Sequence, residues 1–389
     1  MSETWTNWSG SVTCTPASIE SPSRYEELSA IVTQAAREGR RVRVAGSGHS
    51  FSPVCATDGL LVSLDNVHGV IETDADARRA RVRAGTKLHA LGQPLLRAGM
   101  ALEQQGDIDR QSLGGVLGTG THGTGFDFRN MSNQAVALTL ITASGDLVEC
   151  SENANGEVLR AALVSLGALG IIVDAELQCV APYRLHERSW TLPFEDALTQ
   201  FDELSRRNRH CEFFYQKEPD FCLMKTLSLT DEQGGTDLPE DERIGWSHQV
   251  FPSERDRKFN EMEFSIPAES GLECIREVRD VIRRHDGVRW PIEYRTVKGD
   301  DIPLSPHFGR DSVTISVHQS YRREHEPYFR DCEAVFRNFG GRPHWGKIHY
   351  MSHREIAALY PHWDRFQRVR DWLDPNRMFA NPYVDRVLG

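Results

Sequence analysis

Arg43-Val44-Ala45-Gly46-Ser47-Gly48-His49-Ser50-Phe51 is the stretch from which the rest of the chain can be read. Alternating basic and apolar residues from Arg41 to Val44 predict a short strand, which runs into two glycines, a histidine and a serine. Glycine lets a backbone approach a ligand closely and take positive φ. Successive N–H groups in such a loop form a concavity suited to anions. A second glycine-rich run, Ser112 to Gly125 (SLGGVLGTGTHGTG), follows. Two such loops predict two walls around a diphosphate, and they place His49 beside a ligand rather than in a core. Neither loop is a common nucleotide fingerprint. No Gly-x-x-x-x-Gly-Lys-Ser/Thr string occurs, and Gly46-Ser47-Gly48 leads into His49, Ser50, Phe51, Ser52 and Pro53, which open no helix as a Rossmann turn would.

Three further sites carry chemistry. Glu293 and Arg295 stand two apart in a predicted strand, Trp290–Val297, so both side chains leave the same face. A carboxylate and a guanidinium facing one cleft can bind a polyol together. Ser316 and His318 repeat that spacing in the strand Ser312–Ser320, and His318 must be neutral to serve as a base. Lys347 follows His344-Trp345-Gly346.

Taken in order, Gly46-Ser47-Gly48-His49-Ser50, Thr119-Gly120-Thr121-His122-Gly123, Glu293-Tyr294-Arg295 with Asp300-Asp301 and Leu304-Ser305-Pro306, His344-Trp345-Gly346-Lys347 and the Asn381-Pro382-Tyr383 tail span nearly the whole chain. They resemble the vanillyl-alcohol-oxidase family of flavoproteins, above all its bacterial sugar-1,4-lactone oxidases, with the alditol oxidases next. The resemblance implies an α+β fold: an FAD-binding domain of the type shared by that family and p-cresol methylhydroxylase, with a cap domain built on an antiparallel sheet flanked by helices. It implies FAD held by Ala45, Gly46, Ser47, Gly48, His49 and Ser50 from the first loop. Gly106, Asp107, Ser112, Gly115, Thr119, Gly120, Thr121 and His122 would hold it from the second region, with Ile172 and Lys347 beside them. His49 would be bonded covalently to the flavin. Relatives with two links use a cysteine in the second loop, and residues 106–125 contain none, so one link is expected. Glu293, Arg295, Lys347 and His318 become the catalytic set. The implied reaction passes a hydride from a sugar-lactone carbon to flavin N5, and O2 then reoxidises the flavin and yields hydrogen peroxide. Gly106 matches the position that admits or blocks oxygen, and glycine is the open form. The alditol oxidases have His and Thr where this chain has Ser316 and His318, which weighs against an alditol. A lactone dehydrogenase with another acceptor, and a flavin-binding protein without activity, are the remaining alternatives.

Composition sets the frame. At 389 residues, two domains are expected. We divide the chain into an FAD-binding part, 1–182, a cap, 183–341, and a segment, 342–389, that returns to the FAD domain. The net charge of −11 argues against nucleic acid and anionic membranes as partners. No run approaches the roughly 18 apolar residues of a membrane span, and the first residues lack the marks of a secretory signal. The eight cysteines are scattered with no C-x-x-C pair, so no metal site is expected and reduced thiols in a cytoplasmic protein are. A monomer or small homo-oligomer is expected. Ser23-x-x-Glu26 reads as a capping box for a helix with stripe Leu28, Ile31, Val32, Ala35. Thr86 reads as the cap of a helix to Arg97, and Asp231–Arg243 as an acidic surface loop.

Overall fold

The computed structural model describes residues 3–235, 238–253 and 257–389. Thr236 and Asp237, inside the predicted acidic loop, lie outside the described residues. Just after them the chain pairs again, as the strand Glu242–Trp246.

The expected strand before the first glycine loop forms as Val42–Ala45 and lies in a three-stranded parallel sheet with Ser18–Glu20 and Leu60–Ser63. The helix Tyr25–Arg37 buries Leu28, Val32 and Ala35, as its periodicity predicts. Its cap differs from expectation. Arg24 is the N-cap residue, and Glu27, not Glu26, reaches back to accept from the Ser23 N–H at 2.9 Å. The helix from Thr86 is also corrected. A 3-10 turn, Leu88–Ala90, precedes a short helix, Gly92–Arg97. Pro94, which has no N–H to donate, fits only in the first turn of a helix, so that helix cannot begin much earlier. Thr86 instead donates its hydroxyl to the Arg83 carbonyl at 2.6 Å. A five-stranded antiparallel sheet, in the order Val70–Asp74, Arg79–Arg83, Ile171–Gln178, Ala135–Ile141, Leu147–Ser151, completes this region.

The next part of the chain builds one eight-stranded antiparallel sheet. Its order is Glu242–Trp246, Arg184–Pro193, Phe221–Thr230, His210–Gln216, Ile292–Val297, Ser312–Ser320, Phe259–Pro267, Arg342–Pro343. Side chains alternate between its faces. Phe213, Tyr215, Tyr294 and Phe264 leave one face and pack on the helices Phe194–Arg207 and Glu326–Asn338, through contacts such as Phe201 on Tyr294 (4.9 Å) and Phe264 on Phe336 (5.0 Å). The intervening residues, Glu212, Glu293, Arg295, Glu261, Glu263, Ser316 and His318, leave the other face, yet every one is buried. A strand with charges on alternate residues normally turns them to water. Here that face is the wall of a cavity.

The C-terminal segment returns to the first glycine loop. Asn381 caps the final helix, Pro382–Leu388, and its Nδ2 donates to the carbonyls of Pro53 and Ala56 at 2.9 and 2.7 Å. The Phe51 N–H donates to Gly346 O at 2.7 Å. Arg43, fully enclosed, ties the Val42–Ala45 strand to the carbonyls of Val54, Leu166 and Phe379. No helix among the described residues is long and apolar enough to cross a membrane.

Candidate active site

One cavity of about 450 Å³ lies between the glycine loops and the charged sheet face. That volume falls in the range of small-molecule and cofactor sites. Ala45, Gly46, Ser47, Gly48, His49 and Ser50 line it from the first loop, and Gly106, Asp107, Ser112, Gly115, Thr119, Thr121, His122 and Ile172 from the second side. Glu293, Arg295, His318 and Lys347 line it from the sheet and the C-terminal segment. Ser316, paired with His318 in sequence, lies behind this lining on Glu263. Of the catalytic and cofactor residues expected from sequence, Gly120 alone is absent from it.

The reason is a helix that the glycine content conceals. Leu113–Thr119 is α-helical, with Leu113, Val116 and Leu117 buried. Packing overrides the low helix propensity of its three glycines. Gly120, at φ +70°, is its C-cap, and the N–H groups of Gly120 and Thr121 donate to Leu117 O and Val116 O. The Thr119 hydroxyl donates to Gly115 O at 2.8 Å. These groups close the helix end, with Thr119 and Thr121 still on the cavity wall. The cavity is met by both ends of the run, at Ser112, Gly114 and Gly115 and at Thr119, Thr121 and His122.

The first loop fits a tightly held group. A Cβ on Gly46 would come within 1.9 Å of Ser112 Oγ, so the two loops meet there only because residue 46 is glycine. The Ser47 hydroxyl is buried with no partner among the described residues, an arrangement that costs free energy unless a ligand satisfies it. The His49 ring stacks on Trp8, with centroids 5.4 Å apart. Burial, with Lys347, Lys87 and Arg110 nearby, pushes His49 down to about 4. It is therefore neutral at physiological pH and keeps a nitrogen lone pair for bonding. These features fit a flavin dinucleotide.

On the opposite wall, the Arg295 Nε donates to Glu212 Oε2 at 2.8 Å. Its Nη2 pairs with Glu293 and lies 3.3 Å from Asp107 Oδ2. Burial drives Glu293 up to about 8. Arg295 opposes that rise, while Asp107, Glu212 and Glu261 add to it. Burial works against the Arg295 charge, but Glu293, Asp107 and Glu212 outweigh it and hold Arg295 well above its usual range. Lys347 pairs with Glu261, and its Nζ sits 5.0 Å from the Phe51 ring centroid. Glu261 Oε1 lies 3.6 Å from His318 Nε2. The His318 Nδ1 lies 2.9 Å from Pro291 O, which can only accept, so Nδ1 carries a proton. His122 packs against His307 and His344. Its Nε2 meets Glu263 Oε1 at 2.7 Å, and Glu263 accepts from Ser316 Oγ at 2.7 Å. His122 thus clamps the second loop to the sheet.

Sequence reasoning missed Glu212, Lys225, Glu261 and Glu263. Their signal was present as acidic and basic residues alternating with Phe, Met and Cys, a pattern that equally describes a solvated sheet face.

Comparisons with known proteins agree with this geometry. Residues 16–151 match the FAD binding domain family, and residues 234–387 match the D-arabinono-1,4-lactone oxidase family. The L-gulono-1,4-lactone dehydrogenase of Mycobacterium tuberculosis is 38% identical over 430 aligned positions, covering 100% of both chains. The L-gulonolactone oxidase of Mus musculus is 31% identical over 434, covering 98% of this chain and 97% of that one. Among solved structures, a cholesterol oxidase from B. sterolicum superposes with a TM-score of 0.87 at 15% identity, over 100% of this chain and 97% of that one. At that identity the likeness speaks for the fold. With whole-length identity to the lactone enzymes and FAD loops facing a charged sheet across one cavity, the chain belongs to the family of FAD-dependent sugar-1,4-lactone oxidoreductases.

Proposed function

We propose that this chain oxidises a hydroxyl-bearing carbon of a sugar-1,4-lactone of the L-gulono or D-arabinono type, with O2 as final acceptor and hydrogen peroxide as product. The observation that carries this reading is that the first glycine loop and the Glu293–Arg295–Lys347 set open into the same cavity. The names of the relatives support the substrate class. When bound, FAD supplies the hydride acceptor and the electron path to oxygen. Ala45 to Ser50, Ser112, Gly115 and Ile172 hold it, and the neutral His49 forms a single covalent link. Glu293, once it has lost the proton it holds up to about pH 8, accepts a hydrogen bond from the substrate hydroxyl. His318 takes the hydroxyl proton at Nε2. Lys347, held by Glu261, orients a neighbouring oxygen. Arg295 supplies positive charge where negative charge develops, which is worth most in a site closed to water.

The reading includes the three-part division 1–182, 183–341 and 342–389 and a monomer or small homo-oligomer. It places the protein in the cytoplasm. All eight cysteines are free thiols, which supports a reducing compartment.

The test is anaerobic mixing of the yellow protein with L-gulono-1,4-lactone, D-arabinono-1,4-lactone and a series of alditols, followed by air. Bleaching by a lactone, then recovery with stoichiometric peroxide, is the expected result. Bleaching by alditols alone would defeat the substrate class. Because the M. tuberculosis relative is named a dehydrogenase, a second reading is a lactone dehydrogenase. Fast bleaching with slow recovery in air but rapid recovery with a dye would establish it.

A further inference from the structure

The Glu293–Arg295 pair is the inner end of a longer row. Arg243, whose side chain is 41% exposed, grips Glu187 with two hydrogen bonds of 2.9 and 2.6 Å. Lys225 Nζ stands between Glu187 Oε2 at 3.5 Å and Glu212 Oε1 at 3.0 Å. Glu212 then accepts from Arg295, which pairs with Glu293. Lys225, Glu212 and Arg295 sit directly opposite one another on adjacent strands. From the sheet's edge to the cavity, the signs alternate through Arg243, Glu187, Lys225, Glu212, Arg295 and Glu293. Glu187, Lys225 and Glu212 are no more than 8% exposed.

Such a row is costly to bury and falls apart when one member is removed, because the neighbour is left as an uncompensated buried charge. It is also more than the substrate needs, since Glu212 and Lys225 stand behind the residues that meet it: Arg295 and Glu293 line the cavity and they do not. We propose that Glu212 and Lys225 are positioning residues of the reaction site: Lys225 braces Glu212 and adds a cation to the row, Glu212, kept ionised also by Arg295, aims the guanidinium, and together they set how readily Glu293 loses its proton. The proposal rests on the lactone-oxidising reading.

The charges around Glu293 make the balance fine. Its own strand offers Arg295, and the neighbouring strands bring Glu212, then Ser316 and His318, then Glu261 and Glu263. The loop after Gly106 brings Asp107, and the C-terminal segment brings Lys347 through Glu261. Carboxylates outnumber cations here. One more or one fewer charge in the row therefore moves Glu293 in a definite direction. Loss of the Lys225 cation raises its titration. Loss of the Glu212 anion lowers it, and frees Arg295 to serve Glu293.

The test is anaerobic stopped-flow flavin reduction by L-gulono-1,4-lactone across pH. The limb that disappears in Glu293→Gln identifies Glu293. In Lys225→Met that limb should move up by about one pH unit, so that the rate at the parental midpoint falls about fivefold. In Glu212→Gln it should move down by a similar amount. The double variant should return close to the parental midpoint, and Lys225→Arg should keep it. Opposite shifts are the signature, since a mere structural brace lowers the rate without moving the limb. A second measurement needs no substrate: the titration of the protonated-carboxyl infrared band that vanishes in Glu293→Gln should show the same two shifts. Unmoved midpoints, or shifts of one sign in both variants, overturn the proposal. If the parent protein is not reduced by lactones, the functional reading fails instead, and the infrared titration still decides the row. Should Lys225→Met not fold, Glu212→Gln and the double variant carry the same comparison.

Discussion

The cavity has two walls built on opposite principles. The glycine-loop wall recognises with backbone, and its working groups are reached because side chains are missing. The sheet wall recognises with side chains, and its charges are tolerated because each is bonded to another. The first wall is spoiled by adding atoms, the second by removing them. The difference also separates the jobs: a wall of fixed amides suits a permanent cofactor, while a wall of paired, titratable groups suits a substrate that enters, gives up a proton and leaves.

The largest expected effects break the charged wall. Glu293→Gln and Arg295→Ala should each slow flavin reduction at least about a hundredfold, or roughly 2.7 kcal/mol of lost transition-state stabilisation, with flavin content kept. Near-parental rates in both would make the pair a structural tie and erase the contrast. Adding atoms to the other wall comes next. Gly46→Ala drives a methyl group against Ser112 Oγ, and overpacking of this kind costs about 1–3 kcal/mol. That cost should appear as weakened flavin binding in equilibrium dialysis when the variants are made in a His49→Ala background, where the flavin is not covalently held. Gly46→Ala/Ser112→Ala should recover part of it, because the remaining contact, to the Cβ of residue 112, is 3.2 Å. An unchanged flavin affinity in the single variant would show that the loops have slack.

His49 tests whether the backbone wall can hold the flavin alone. The parent should keep fluorescent flavin after acid precipitation and denaturing electrophoresis. His49→Ala should keep none under those conditions while still binding FAD in its folded state, with turnover about tenfold lower, a barrier change of about 1.4 kcal/mol. Flavin that washes entirely from freshly made parent protein would refute the link. The smallest effect is at Gly106. A Cβ there would meet only ordinary contacts, 3.5 Å from His122 O and Thr121 Cγ2, so Gly106→Ala should fold normally. It narrows the approach by a methyl group, which a close-packed site feels. Reoxidation by O2 should slow a few-fold while anaerobic reduction and dye turnover persist. Equal reoxidation rates would leave Gly106 as a turn glycine.

The same division governs what could be read from sequence. Glycine spacing is a local signal, and Gly46 to Ser50 was legible because nothing else explains two glycines and a histidine after a strand. The i, i+2 spacing of Glu293 and Arg295 was legible for a similar reason. The partners that hold them were not. Glu212 is 83 residues from Arg295 along the chain, and only the strand order brings them together. The strand Phe259–Pro267, which carries Glu261 and Glu263, was passed over because its alternation of acidic and apolar residues says nothing about whether the polar face meets water or a cavity. The helix Leu113–Thr119 was read as a loop for the opposite reason. Its glycines are poor helix formers, and the pressure for small residues, seen where a Cβ on Gly114 would come within 3.1 Å of Ala84 Cβ, is invisible until the strand it packs on is placed.

The closure of the first loop by the C-terminal helix also orders events in the life of the molecule. Asn381 and Phe379 supply or receive the hydrogen bonds that fix Arg43 and the turn at 53–56. A chain still on the ribosome has made His49 long before it can release Asn381. Domains generally fold as units during synthesis, N-terminal first, but here the N-terminal part keeps unmade contacts until residues 379–381 have emerged. A product stalled before Asn381 is left without the hydrogen bonds that fix the backbone on either side of the first glycine loop.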